Sequence, residues 1–484
     1  MTETVWVMGA ARSVPIRPLD RESAHIAGDA LPVVSVLTGL VLVCCALQSD
    51  LVLSTYISTA AIVVYMLGLL VWRPQFYPKY LQFVFTVVTD IVGCLSCELV
   101  PAYLPELGVD SKFFGSAPLL ILGRWLFVVA ILVWDECFGV EKAFEHNEKP
   151  RASYRSRPSK EIVFVLNAFY FLFAVISFAR VVTHPSFALG MDRFQYGDEY
   201  LPGIWARLSG WLGYFIAIPL IAMRMGQVGL SLASIVIYCL FLLWTGNKFG
   251  AFFTLVCIVL YAYYDKIFLL GRRRLMRLSV SLAAIMAVLV AMTAGIEVAT
   301  HGFDPVQYLA RRTAQQGQLW WKISGTYEPG EGLPELGSEI DEQLQGLIED
   351  KTKIGNNVGS RYGIYNIMYL STDDARVDAK LESGSRYTEA GYPTAYYYLG
   401  APGVVLFSVF GGILVSILTN AQIAAFVEDR MPTAVVVNKL MSSAATLLSM
   451  AIFYNLFTPG CWLSYFLLIV FWYVRRRDYR LAWL

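Results

Sequence analysis

Charge is what this sequence has least of: 15% of its 484 residues are Asp, Glu, Lys or Arg, against 57% that are hydrophobic. Too little charge is available to cover a soluble domain, which excludes a soluble enzyme and indicates a polytopic membrane protein. The net charge of +1 offers no clustered basic surface to displace counterions from phosphates, so nucleic acid is not a partner. Histidine is scarce, with His25, His146, His184 and His301 the full set, and no acidic cluster accompanies them; neither a metal nor any other cofactor is expected. All eight cysteines fall in or at the ends of apolar runs, which argues against a disulfide framework. Cys94 and Cys97 form a CxxC without a second ligand pair, which reads as helix packing. No cleavable signal peptide is evident, because residues 1–30 are mixed polar and the following run lacks a small-residue cleavage site. Internal repeats of the transporter kind are lacking as well.

What is present is a succession of apolar runs near the ~20 residues that a helix needs to cross hydrocarbon. Their number predicts an all-α integral membrane protein of about 12 transmembrane helices, with one large, mostly helical, outward-facing loop between helices 9 and 10. The expected divisions are 1–30, a cytoplasmic segment; 31–299, helices 1–9; 300–394, the large periplasmic loop; 395–474, helices 10–12; and 475–484, a basic cytoplasmic tail. Orientation follows from the connections. Lys142, Lys149, Arg151, Arg155, Arg157 and Lys160, then Arg272, Arg273, Arg274 and Arg277, then Arg475, Arg476, Arg477 and Arg480 share one side by helix parity. Both termini are therefore expected in the cytoplasm.

Ionisable residues inside spans are costly and mark candidate sites. Asp90 falls near the middle of the third run, Arg124 two turns inside the fourth and Arg207 one turn inside the sixth. Asp90 and Arg124 are expected to pair between neighbouring helices; either arginine could instead bind an anion.

The outward segment opens with Asp304 and Pro305, a helix cap and first turn, with Gln307 three positions on. The helix expected there, to about Ile323, sets Val306, Leu309, Ala310, Thr313 and Trp320 on one face and Arg311, Gln315, Gln318 and Lys322 on the other. Acidic residues dominate from Glu328 to Asp350, with Leu336, Ile340, Leu344, Leu347 and Ile348 at helical spacing, which reads as a solvated amphipathic helix. Tyrosines then crowd in, interleaved with Arg361, Arg376 and Arg386. Tyr362, Tyr365 and Tyr369 form a stripe able to stack on sugars, although one face of an amphipathic helix has the same pattern. Tyr396, Tyr397 and Tyr398 read as an interfacial aromatic belt.

This layout resembles the O-antigen polymerase family, bacterial membrane enzymes that join polyprenyl-diphosphate-linked oligosaccharide repeats on the outer side of the inner membrane. Besides the layout, Thr245-Gly246-Asn247-Lys248 is similar to a step found at the outer end of a span in such proteins. Pro393-Thr394 followed by Gly400 and Gly403 is similar to the return into the membrane after their catalytic loop. Another pattern of some members, an Arg followed eleven residues later by Gly, lands here on Met191, Ile204, Thr372 and Tyr387.

The resemblance implies a metal-independent glycosyltransferase of the inner (cytoplasmic) membrane. Its partners would be the lipid bilayer, a polyprenyl-diphosphate-linked oligosaccharide, a chain-length regulator and a flippase. Glycosyl transfer from a lipid diphosphate needs a group to take the acceptor's proton and fixed cations for the leaving group. The candidates are Glu389, Arg386 and His301 for catalysis, with Asp373 and Asp374 as further bases. Lys248, Arg124, Arg207, Arg311, Arg312 and Arg361 are candidates for the diphosphate, and Tyr362, Tyr365, Tyr369, Tyr392 and Trp320 for the sugars. Two rival readings remain open: an O-antigen ligase-like glycosyltransferase, and a lipid-linked oligosaccharide flippase or other transporter.

Overall fold

The computed structural model describes residues 21–481 except 101, 143–157, 192, 202, 248, 302–303, 350–357 and 384. In lipid only an intra-segment ladder satisfies a backbone, so apolar runs close into helices. In chain order these are α1 (Arg21–Leu47), α2 (Val52–Trp72), α3 (Phe76–Lys79), α4 (Leu81–Leu99), α5 (Ala117–Phe138), α6 (Lys160–Val181), α7 (Ser186–Leu189), α8 (Arg193–Tyr200), α9 (Ile204–Phe215), α10 (Ala217–Arg224) and α11 (Val228–Trp244). They continue with α12 (Phe249–Ala262), α13 (Tyr264–Phe268), α14 (Arg272–His301), α15 (Pro305–Thr326), α16 (Leu336–Glu349), α17 (Gly363–Ser371), α18 (Asp374–Glu382), α19 (Gly391–Val427), α20 (Met431–Met450) and α21 (Pro459–Leu481). A two-stranded hairpin, β1 (Tyr103–Leu104) against β2 (Val109–Asp110), joins α4 to α5.

Among the described residues, eight helical segments are long and apolar enough to cross a membrane, including α2, α4, α5, α19 and α20. Four further apolar stretches, Leu31–Leu47, Gly210–Arg224, Val228–Trp244 and Phe249–Ala262, are shorter. The chain is thus an all-α membrane protein in which part of the expected set falls below span length.

Among the described residues two large apolar cores form, with a small third where α20 meets α21. One gathers α1, α2, α4, α5, α15, α17 and the start of α19; the other gathers α6, the helices from α9 to α13, the end of α19 and the start of α20. Within the first core α15 lies along α4, and the contact is close because glycine meets glycine. A Cβ on Gly93 would stand 2.6 Å from the Gly317 nitrogen and 2.7 Å from the Thr313 oxygen. Asp304 caps α15 by accepting from Gln307 N at 2.8 Å. Trp320 and Trp321 are buried, their ring N–H groups donating to the Ser116 and Lys112 carbonyls, whereas Val306 and Leu309 at the start of the helix are exposed. The end of the molecule that carries α15 to α18, the hairpin and the start of α19 is called here the loop end.

At the far end a buried clasp joins α3, α5, α13 and α19. Lys79, 1% exposed, donates to Asp135 at 2.8 Å and Glu141 at 2.7 Å. Tyr80, Ser416 and Asn420 also donate to Asp135, and Tyr264 to Glu141. Every charge in this cluster is met by a partner, as burial requires.

The start of α19 is bent. Gly400 has φ 65° and ψ −149°, a conformation open in practice only to glycine, and two helices meet there. A bend orphans carbonyls of the preceding turn. Here the Tyr396 and Tyr397 oxygens accept instead from Gly330 N at 3.2 Å and Gly332 N at 2.9 Å, so the connection between α15 and α16 is tied to the bend.

Candidate functional site

Arg124 is the centre of the arrangement. It projects from α5 seven residues after the helix begins, about 10 Å at 1.5 Å per residue, and is 6% exposed. One guanidinium nitrogen pairs with Asp90 of α4, as the sequence led us to expect, and lies 3.7 Å from Glu389. The guanidinium carbon stands 4.3 Å over the Tyr392 ring, whose hydroxyl meets Ser408 at 3.1 Å. Trp320 borders the same ring edge-on, with 6.4 Å between centroids. Arg124 Nε and Asp90 Oδ1 are both buried and, among the described residues, have no hydrogen-bond partner.

Glu389 is delivered from the short irregular segment before α19. Its φ is +60°, a left-handed conformation that costs a non-glycine residue about 1–2 kcal/mol, and the Ala390 N–H is anchored on the Ser449 carbonyl at 2.7 Å. Burial pushes the Glu389 carboxyl up to about 7, while the Arg124 guanidinium pulls it the other way.

Arg124 and Glu389 open onto a cavity of about 330 Å³ between α4 and α20. Gln82 and Thr86 line one wall, at i and i+4 below Asp90, and Ser442, Thr446 and Ser449 line the other. A second cavity of about 310 Å³ adjoins it, sharing Gln82, Phe83, Ser442 and Ala445, and reaches Tyr214, Tyr238, Tyr261 and Asn438. The result is a groove of mixed polarity with a carboxylate and an arginine at its loop end.

The structure brings together Arg124, Glu389, Tyr392 and Trp320 from the expected set and leaves others apart. Arg386 donates to the Tyr365 hydroxyl at 3.0 Å rather than pairing with Glu389, and the backbone between the two is irregular. Arg361 pairs with Asp374 at 2.8 Å and lies 3.7 Å over the Tyr369 ring. Arg311 and Arg312 are exposed on α15, with Arg312 bound to Tyr308 and Gln315. Asp373 caps α18 through Arg376 N. Lys248 and the side chains of Arg207 and His301 lie outside the described residues.

Tyr362, Tyr365 and Tyr369 are buried at 0%, 1% and 7% exposure, so the stripe packs the interior of the loop domain instead of facing a ligand. The expected belt of Tyr396, Tyr397 and Tyr398 is likewise interior. Tyr397 donates to Glu335 at 3.1 Å and Tyr398 to Glu339 at 2.8 Å. Those bonds also correct the solvated reading of α16, because Glu339 is buried and accepts from Gln343 and from Gly363 N as well. Among the described residues no three His, Cys, Asp or Glu side chains converge on one point.

A model described as a family of unknown function (DUF6418) matches residues 357–468. The matched stretch runs through α17, α18, α19, α20 and part of α21. It therefore carries Glu389, Tyr392 and the Ser442, Thr446 and Ser449 wall, and leaves Asp90, Arg124 and Trp320 to the rest of the chain. No curated protein and no solved structure matches the chain.

Sequence reasoning paired Asp90 with Arg124, weighed Glu389 apart from them and missed the groove walls. Gln82, Thr86 and Asp90 at successive helical turns, and Ser442, Thr446 and Ser449 in an otherwise apolar run, were the available signal.

Proposed function

We propose that this protein polymerises polyprenyl-diphosphate-linked oligosaccharide repeats into a surface polysaccharide. In this reading about twelve helices span the inner membrane and the loop end faces the periplasm. The observation that carries it is the buried Arg124, with Nε unpartnered, beside a largely buried Glu389 at the mouth of a groove within the helical bundle. A lipid-linked sugar needs such a place, where the tail stays in the membrane and the phosphates meet fixed positive charge.

In the transfer, the acceptor hydroxyl oxygen attacks the anomeric carbon of the donor. The bond from that carbon to the diphosphate oxygen breaks, and the diphosphate leaves with the electron pair. Glu389, ionised, takes the hydroxyl proton, and Arg124 offsets charge developing on the leaving oxygen. Tyr392 and Trp320 wall the site with rings and hold Arg124 in place. A ligase-like transfer would use the same groups.

The test is glycan synthesis by the purified protein in lipid nanodiscs from a polyprenyl-diphosphate-linked oligosaccharide. A ladder of lengths is expected from the wild type and none from Glu389→Gln or from Arg124→Lys, whose ammonium lacks the planar fork. A single transfer to a second lipid would favour the ligase reading, and an undiminished ladder from Glu389→Gln would remove Glu389 from the reaction.

A further inference from the structure

Arg124 faces two carboxylates and neutralises them unequally. Asp90 is in direct contact, while Glu389 stands 3.7 Å away across the mouth of the groove. Asp90 is 3% exposed and, among the described residues, its second oxygen has no hydrogen-bond partner and Arg124 is the cation that pairs with it. Among the described residues lining the groove here, no other carboxylate or cation competes. From α19 the neighbour is Tyr392, held by Ser408; from α20 the wall is Ser442, Thr446 and Ser449; from α4 it is Gln82 and Thr86; and Arg386 is turned to Tyr365. Coulomb attraction in a poorly solvated site is strong, so a cation already committed to one carboxylate has less effect on a second.

We propose that Asp90 is a positioning residue that sets how much of the Arg124 charge reaches Glu389, keeping Glu389 able to take up and release a proton. Were Arg124 free of Asp90, it would close on Glu389 as a permanent ion pair, and the carboxylate would be a poor base. The purpose of the device rests on reading Glu389 as the proton acceptor. Its existence does not, since it concerns the protonation of one carboxyl and can be measured without substrate.

The experiment is labelling of the full chain in nanodiscs with dicyclohexylcarbodiimide, an apolar reagent that reacts with protonated carboxyl groups, across a pH series. Modification at Glu389 is read by peptide mass spectrometry and normalised to the exposed Glu382. In Asp90→Asn the labelling midpoint of Glu389 should fall by about one unit or more, so that labelling at pH 7 drops about fivefold or more. Asp90→Glu should keep the wild-type midpoint, and Arg124→Gln should raise it. Asp90→Ser gives the same reading should the Asn form not accumulate. An unchanged Glu389 midpoint in the neutral Asp90 variants overturns the proposal and leaves Asp90 as an anchor for Arg124. Loss of polymer synthesis alone bears on the proposed reaction and not on this device.

Discussion

Glu389 combines two features that stability alone would not select, a left-handed backbone and a largely buried carboxylate. Asn occupies φ near +60° more readily than Glu and carries no charge to desolvate. Glu389→Asn is therefore expected to raise the thermal unfolding midpoint while abolishing transfer, a pairing typical of strain kept for function. The pH dependence has a definite sign. With its carboxyl raised from 4.5 to about 7 in the folded state, Glu389 holds a proton there that the unfolded chain has already lost. Its contribution to stability is thus complete below about pH 4.5 and disappears as pH rises through about 7. Calorimetry of wild type and Glu389→Gln between those limits should show the two nearly alike at the acid end and the wild type falling progressively below the variant as pH rises. Activity should run the opposite way, with an acidic limb near pH 7, because only the ionised form accepts a proton.

At the scale of elements, the site depends on how α15 and α19 are set. Gly400→Ala places a Cβ in a conformation that costs of order 1–3 kcal/mol. Relief by straightening α19 would break the bonds from Gly330 and Gly332 to the Tyr396 and Tyr397 carbonyls. The expected result is faster proteolysis of the connection between α15 and α16 and loss of activity with Glu389 intact; limited proteolysis with mass mapping checks it. This bend shows where sequence reading stops. Gly400 was visible as part of a motif, but its acceptors are met by residues about seventy positions away, which no local pattern encodes. Long apolar helices such as α2 and α5 were legible from composition alone. The pairing of Asp90 with Arg124 was legible because two costly charges on neighbouring spans need each other. The approach of Glu389 to that pair was not, because it is set by the Ala390 anchor on Ser449 and by the turn at Glu389 itself. The tyrosines misled for a related reason: a ring that stacks on sugar and a ring that fills a core share the same helical spacing.

For the whole molecule, charge placement supports an expectation of which end faces which compartment, independently of the site. The far end holds Arg73, Lys79, Lys142 and the start of α14 with Arg272, Arg273 and Arg274. The loop end instead carries α16, where Asp341 is exposed and Glu342 half-buried. Basic connections are retained in the cytoplasm, and acidic residues contribute little to that choice. The orientation expected on that basis has the Lys79 clasp on the cytoplasmic side, with Glu389 and the mouth of the groove toward the outside. A reporter active only after export, fused after Leu336, should be active, and the same reporter after Lys149 should be silent; a reporter active only in the cytoplasm should give the reverse at both positions. An active export reporter after Lys149 with a silent one after Leu336 would turn the groove toward the cytoplasm. Glu389 and Arg124 would then meet cytoplasmic lipid-linked intermediates, and extracellular polymerisation would be excluded whatever the chemistry at Glu389.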